Sequence, residues 1–230
     1  MKRLAQVLVT VLPILCAPLA MAQRGRETTA PPDVQGVQGV YQSIPDGTTL
    51  PGGLKNAGAP AAIELLPEAV RQARSVDLRK DPWKMCQPVG PFRMMAKDQT
   101  KIELVPVSAM VVMLFEDLSH GMMRTIYLKR GHPSNAEPTW LGDSVGRWEG
   151  NTLVVDTVGF NDKTWLNEEG AQHTEALHLV ERIRPVQGGQ YLEYKVTAED
   201  PKTLAKPYSY TRYYKRLDTE IMDDPCEDQE

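Results

Sequence analysis

From about Ile102 onward, apolar and polar positions alternate with a period of two, in short runs bounded by Gly, Pro, Asn or Asp. That pattern predicts half-buried β-strands. The runs are 102–107, 109–116, 122–129, 152–159, 176–184, 190–199 and 208–216, each rich in Val, Ile, Leu, Tyr or Thr. Gly150-Asn151, between Trp148-Glu149 and Thr152-Val155, marks a tight hairpin, because both residues tolerate the positive φ such a turn demands. Gly188-Gly189 marks a second hairpin. Upstream the period changes. Residues 61–77 carry a helical pattern, with Pro67 in the first turn, where its missing N–H costs little. Residues 23–60 are rich in Gly, Pro, Thr and Gln and show no period beyond a short stretch at Gly39-Val40-Tyr41. The reading is an extended arm with a short helix over 23–80, then a β domain over 81–230. Seven or more strands with one helix fit an up-and-down barrel or a sandwich.

Alternation also assigns faces. Leu177, Leu179, Glu181 and Ile183 share one face of their strand, and Met122, Arg124, Ile126 and Leu128 share one face of theirs. A carboxylate and a guanidinium on apolar faces need partners, and Arg is shaped for a bidentate one. Arg124 and Glu181 are therefore expected to pair inside the β domain, either as part of a site or as a structural closure of one end.

The first 22 residues differ from all of this. Lys2 and Arg3 precede a mostly apolar, uncharged run from Leu4 to Leu19, and Ala20-Met21-Ala22 supplies small residues for cleavage before Gln23. This is the pattern of a secretory signal peptide. Pro13 and Pro18 break the run, and no later segment is apolar enough to span a membrane. The expected compartment is the periplasm or the exterior. Cleavage removes Cys16 and leaves Cys86 and Cys226, an even pair in an oxidising compartment and hence a disulfide candidate. Such a bridge would close a loop of ~140 residues, with a chain-entropy contribution of up to ~4–5 kcal/mol. The formal charge of −4 becomes about −6 without Lys2 and Arg3, so nucleic acid is not an expected partner.

The chemistry-bearing residues are sparse. His120, His132, His173 and His178 form none of the short-spaced zinc patterns. No nucleophile elbow, phosphate loop or dinucleotide fingerprint is present. Met94, Met95, Met110, Met113, Met122 and Met123 cluster near His120, a combination suited to Cu(I). Met110 and Met113 lie on opposite faces of one strand, however, and methionines also fill irregular cores. No metal or other cofactor is expected. Trp140, Trp148, Trp165 and seven tyrosines between Tyr127 and Tyr214 supply aromatic walls of the kind small-molecule pockets use.

The segment Gly146-Arg-Trp-Glu-Gly-Asn-Thr-Leu-Val-Val-Asp-Thr157 is followed by Gly159-Phe-Asn-Asp162, Thr164-Trp-Leu166, His173-Thr174, Ala176-Leu-His178, Glu181-Arg182 and Asp200-Pro201. Asp81-Pro82, Cys86, Pro88, Gly90 and Arg93 precede it. This series resembles a large family of exported bacterial proteins that carries no established activity. The resemblance covers roughly residues 80–227. It implies export, a mainly antiparallel, lipocalin-like (calycin-like) β domain, and a recurrent polar set. The chain departs from the pattern at Lys129-Arg130-Gly131-His132-Pro133, at Gly170-Ala171-Gln172-His173 and at Pro207-Tyr208-Ser209, with fewer His and Asp groups at the first two.

The leading reading is an exported barrel that binds a small, largely apolar or aromatic molecule. Arg124, Tyr127, Trp148, Asp156, Asn161, Trp165 and His178 are candidate contacts, beside His132, His173 and Glu181. The alternative is an isomerase, cyclase or lyase in which His173 or His132, with Glu181, moves a proton and Arg124 stabilises developing negative charge. A structural envelope protein is the third reading. A closed barrel interior filled by side chains would count against both ligand readings, and an open pocket converging on His173, Glu181 and Arg124 would favour them.

Overall fold

The computed structural model describes residues 36–57, 62–116 and 122–222. The leader, Cys16, His120 and Cys226 lie outside the described residues, and so does one end of the expected bridge.

Nine strands close into a barrel in chain order. They are β1 (Gly39–Ser43), β2 (Lys101–Val107), β3 (Met110–Phe115), β4 (Met123–Tyr127), β5 (Asp143–Glu149), β6 (Thr152–Val158), β7 (His178–Val186), β8 (Tyr191–Glu199) and β9 (Tyr208–Leu217). The fold is mainly β, as the alternation predicts, and the barrel is chosen over the sandwich. Helix α1 (Pro67–Ser75) begins at Pro67, and its Pro occupies the first turn as expected. The Gly150-Asn151 turn joins β5 and β6, with Glu149 opposite Thr152. Gly188-Gly189 joins β7 and β8, with Val186 opposite Tyr191.

Closure depends on a strand assigned above to the N-terminal arm. β1 pairs with β2 through Gly39↔Leu104 to Gln42↔Lys101, and with β9 through Val40↔Leu217 to Ser43↔Tyr214. The barrel wall therefore begins at Gly39, well before residue 81. A five-residue strand is too short for its alternation to stand out, and its stability comes from pairing on both sides. Gly39 has φ 136°, and a Cβ there would lie 2.8 Å from the Arg216 guanidinium.

One joint in the wall differs from the others. β4 and β5 run parallel and share only two register pairs, Ile126↔Ser144 and Tyr127↔Val145. Parallel neighbours need a crossover, and residues 128–142 supply it along the outside of the barrel.

Side chains fill the lumen. Ile102, Leu104, Met113, Ile126, Leu153 and Ile183 have no exposed surface. At Gly146, a Cβ would lie 2.7 Å from Ile126 Cγ2 and 3.1 Å from Leu128 Cδ2, so even a methyl group has no room there. Interiors packed to this density are solid. The chain's own side chains occupy the lumen at this level, which counts against a ligand held there and so against both ligand readings as placed in the barrel interior.

One end of the barrel is also plugged. The segment after Pro88 forms a single helical turn, α2 (Pro91–Met94). Tyr210 and Tyr214, inward-facing on β9, donate their phenolic hydrogens to the carbonyls of Phe92 and Met95. Met94 and Met95 are fully buried beneath that turn.

Candidate functional site

The Arg124–Glu181 pair forms as the alternation predicts. Arg124 Nη1 donates to Glu181 Oε1 at 2.8 Å, and Nη2 donates to Oε2. Arg124 Nε donates to Ser144 Oγ at 2.9 Å, and Nη2 also reaches Thr157 Oγ1 at 2.7 Å. Tyr194 donates to Glu181 Oε1 at 2.9 Å. The register explains the meeting: Ser144 faces Thr157 across β5–β6, and β7 and β8 bring Glu181 and Tyr194 to the same depth. Burial opposes the Arg124 charge, but the Glu181 carboxylate outweighs it and holds the guanidinium pKa above its ordinary value. Burial, then the Glu181 charge, pushes the Tyr194 phenol well up. With 2% and 0% of the two charged side chains exposed, this is a satisfied internal network. Every strong donor of Arg124 is engaged by the protein itself.

The two candidate histidines lie elsewhere. His132, in the crossover, is on the outer surface. Its Nδ1 is 2.7 Å from Asp143 Oδ1 and its Nε2 is 3.0 Å from Asp156 Oδ1. Asp156 also contacts His178 Nε2 at 2.9 Å through its other oxygen. Asp143 is further bound by Arg130, and that contact, followed by His132, holds its carboxyl below the usual range despite burial. The Arg130 guanidinium stacks on Tyr127, 3.7 Å from the ring centroid. These side chains fasten the crossover to β5, β6 and β7. Asp156, His178 and Tyr127 thus belong to an exterior latch. Among the described residues no group of three or more His, Cys, Asp or Glu is placed to hold a metal ion.

His173 is buried in the 159–177 loop. Its Nδ1 donates to the Thr174 carbonyl at 2.9 Å, which leaves Nε2 to accept from the Thr164 hydroxyl. Phe160 packs edge-on at 5.9 Å. Burial lowers the imidazole pKa below 6.5, against the pull of the Thr174 carbonyl and the more distant Asp200 and Asp162. A neutral, doubly bonded histidine ties the loop together. The unfolded chain therefore takes up a proton that the folded protein resists, and stability present above about pH 6.5 is lost as pH falls from there. His173→Gln is expected to flatten the change in urea midpoint between about pH 7 and about pH 5.5. An unchanged slope in the variant would exclude this role.

The remaining candidates are also placed. Asn161 Oδ1 accepts from Lys163 N at 3.1 Å, a local turn contact. Trp165 is buried and bridges to Gln172. Trp148 packs partly buried against the core, its indole N–H without a partner among the described residues. The candidate catalytic residues thus occupy three separate places, and only Arg124 and Glu181 meet.

What the structure assembles instead is a cavity of about 660 Å³ at the plugged end. Phe92 and Ala96 of the plug, Tyr208 of β9, Ile63 and Leu166 give it an apolar lining. The Phe92 and Tyr208 rings meet edge-to-face at 6.0 Å. Two nearly fully buried arginines also line it. Arg93 is clamped by Asp81 through two bonds of 2.6 and 2.7 Å. Arg212 bonds Asp98 at 2.6 Å and lies 3.1 Å from Asp46 Oδ1. Among the described residues the Nε–H of each arginine has no hydrogen-bond partner, and these nitrogens are enclosed by protein.

None of these cavity residues stood out in the sequence, yet two left a trace. Arg212 alternates with Tyr208, Tyr210 and Tyr214, a charge on an inward aromatic face. Arg93 interrupts the run Pro91-Phe92-Met94-Met95.

No protein-family model matches the chain, and no curated protein matches it.

Proposed function

We propose that this protein is an exported barrel that binds a small, largely apolar molecule at its plugged end. The observation that carries the reading is the cavity itself. Its volume of about 660 Å³ falls in the range of small-molecule sites, and it combines an aromatic-aliphatic lining with a few fixed polar groups. The end cavity is larger than the cavity of about 430 Å³ that lies beside Arg124, Tyr127 and Trp140. The separation of His132, His173 and the Arg124–Glu181 pair favours binding over acid–base catalysis, which needs its groups within reach of one substrate. Among the described residues no helix is long and apolar enough to cross a membrane.

The test is native mass spectrometry of the exported full chain, beside an Ala96→Trp variant. Ala96 is a half-buried wall residue, and an indole there fills the cavity without removing a core group. The wild type is expected to retain a small apolar molecule that the variant does not. Equal retention by both, or none by the wild type, would contradict the reading.

Export carries a second expectation, that Cys86 and Cys226 are bridged. Peptide mapping of the exported chain without reductant is expected to find the two cysteine peptides linked. Two free thiols in the exported protein would remove the bridge from the account.

A further inference from the structure

We propose that the crossover between β4 and β5 carries a pH-operated latch, closed while His132 is protonated and released as its imidazole loses the proton. The device sits on the barrel exterior and needs no ligand at the plugged end. His132 comes from the crossover, and its two ring nitrogens face two different carboxylates. Nδ1 lies 2.7 Å from Asp143 of β5, and Nε2 lies 3.0 Å from Asp156 of β6. A neutral imidazole has one N–H and one lone pair. It can donate to only one of these carboxylates and must turn its lone pair toward the other. Only the imidazolium donates to both.

The neighbours keep that proton on the ring and off the carboxylates. The Arg130 contact holds the Asp143 carboxyl below its usual range against burial, with His132 adding to it. Burial opposes the Asp156 charge, but the bonds to His178 and His132 outweigh it and hold that carboxyl low as well. Both aspartates are therefore ionised near neutral pH. His178, on β7, reaches the other Asp156 oxygen through Nε2 alone, at 2.9 Å, and a neutral tautomer makes that bond. Glu199 on β8 lies opposite His178, and Tyr127 of β4 lies under Arg130. With His132 protonated, the two aspartates balance Arg130 and His132. Without that proton, one negative charge is in excess and a lone pair faces an oxygen. The His132 and Asp156 side chains are 28% and 37% exposed, so solvent reaches the proton.

The latch holds the joint with the fewest register pairs in the barrel, the two between β4 and β5. Beside that joint lies the cavity of about 430 Å³, with Met123 and Tyr127 of β4 on one side and Thr139, Trp140 and Leu141 of the crossover on the other. Release of His132 frees the crossover to lift away from it. The sign is opposite to that of His173: the latch holds while the imidazole is protonated and is lost as pH rises through about 5 to 8.

Hydrogen exchange of the full chain, with rates corrected for the intrinsic effect of pH, tests this at the Thr139 amide, which donates to the Gly159 carbonyl at 2.9 Å. Its protection is expected to fall about fivefold between about pH 5.5 and about pH 8, the effect of one ion pair lost at a partly exposed site. His132→Gln is expected to hold the protection at its low value across that range. His178→Gln is expected to keep the wild-type pH dependence. Level protection in the wild type, or a dependence that survives His132→Gln, would overturn the latch. So would a parallel fall at the Leu166 amide, which bonds the Ala171 carbonyl in the loop held by neutral His173, because a shared fall is global opening. The wild-type profile at the two amides decides the question even if a variant does not fold.

Discussion

Glu181→Ala is expected to lower the unfolding free energy by about 3–5 kcal/mol, the cost of leaving one member of a buried ion pair uncompensated. Arg124 would keep its charge with 2% of its side chain exposed, and the Tyr194 hydroxyl would lose its acceptor. Against a typical domain stability of about 5–15 kcal/mol, such a loss approaches unfolding. The cause is the missing partner rather than the worth of the pair, and a second variant shows the difference. Arg124→Met/Glu181→Leu/Tyr194→Phe removes both charges and the phenol together. It is expected to recover most of the loss, because apolar replacement of a buried pair is often neutral or better. Denaturant unfolding of wild type, single and triple variants measures this. A single variant that loses less than about 1 kcal/mol would mean that water reaches the pair, as at surface salt bridges.

Asp81→Ala is expected to have an effect of the same size, about 3–5 kcal/mol, with a further consequence at the binding site. Asp81 clamps Arg93 through both carboxylate oxygens and also accepts from Trp83 N at 3.0 Å. Both charged side chains are nearly buried. Without the clamp, Arg93 must leave the plug or pull water into it, and the Phe92 wall of the cavity shifts with it. The expected result is a large fall in unfolding midpoint together with loss of ligand binding in whatever fraction remains folded. Glu181→Ala, about as destabilising, is expected to spare binding in its folded fraction, because the Arg124 network does not line the cavity. Equal effects of the two variants on binding would mean that the plug has no special connection to the site.

The sequence made the wall legible and left the end opaque, for physical reasons. Period-two alternation is a local property, so β7 and β8 and the inward placement of Glu181 and Arg124 could be read residue by residue. β1 could not, because five residues carry too little alternation and its stability comes from β2 and β9. The end cavity is less local still. It joins Asp46, Ile63, Phe92, Leu166 and Arg212, which are dispersed along the chain and meet only when the barrel closes. The histidines misled for the opposite reason. His173 sits in a polar stretch and looked available for chemistry, but Phe160 and Thr164 bury and bond it. His132 has carboxylates for neighbours, as a proton-transfer site would, but they bind it to the outer wall.

Three of the clustered methionines serve as packing, while Met123 is exposed. Met94, Met95 and Met113 are fully buried within the apolar core, where a flexible thioether fills irregular space. Met95 also receives the Tyr214 hydroxyl at its carbonyl. They are part of the packing that keeps the lumen closed and the plug seated.

The central claim is that ligand binds at the plugged end and not in the lumen. Methyl-resolved NMR of the full chain, titrated with 2-naphthol as a small, largely apolar probe, tests it most directly. The account predicts shifts confined to Ile63, Ala96 and Leu166, with Ile126, Leu153 and Ile183 unmoved. Shifts centred on Ile126, Leu153 and Ile183 with the cavity methyls unmoved would contradict it.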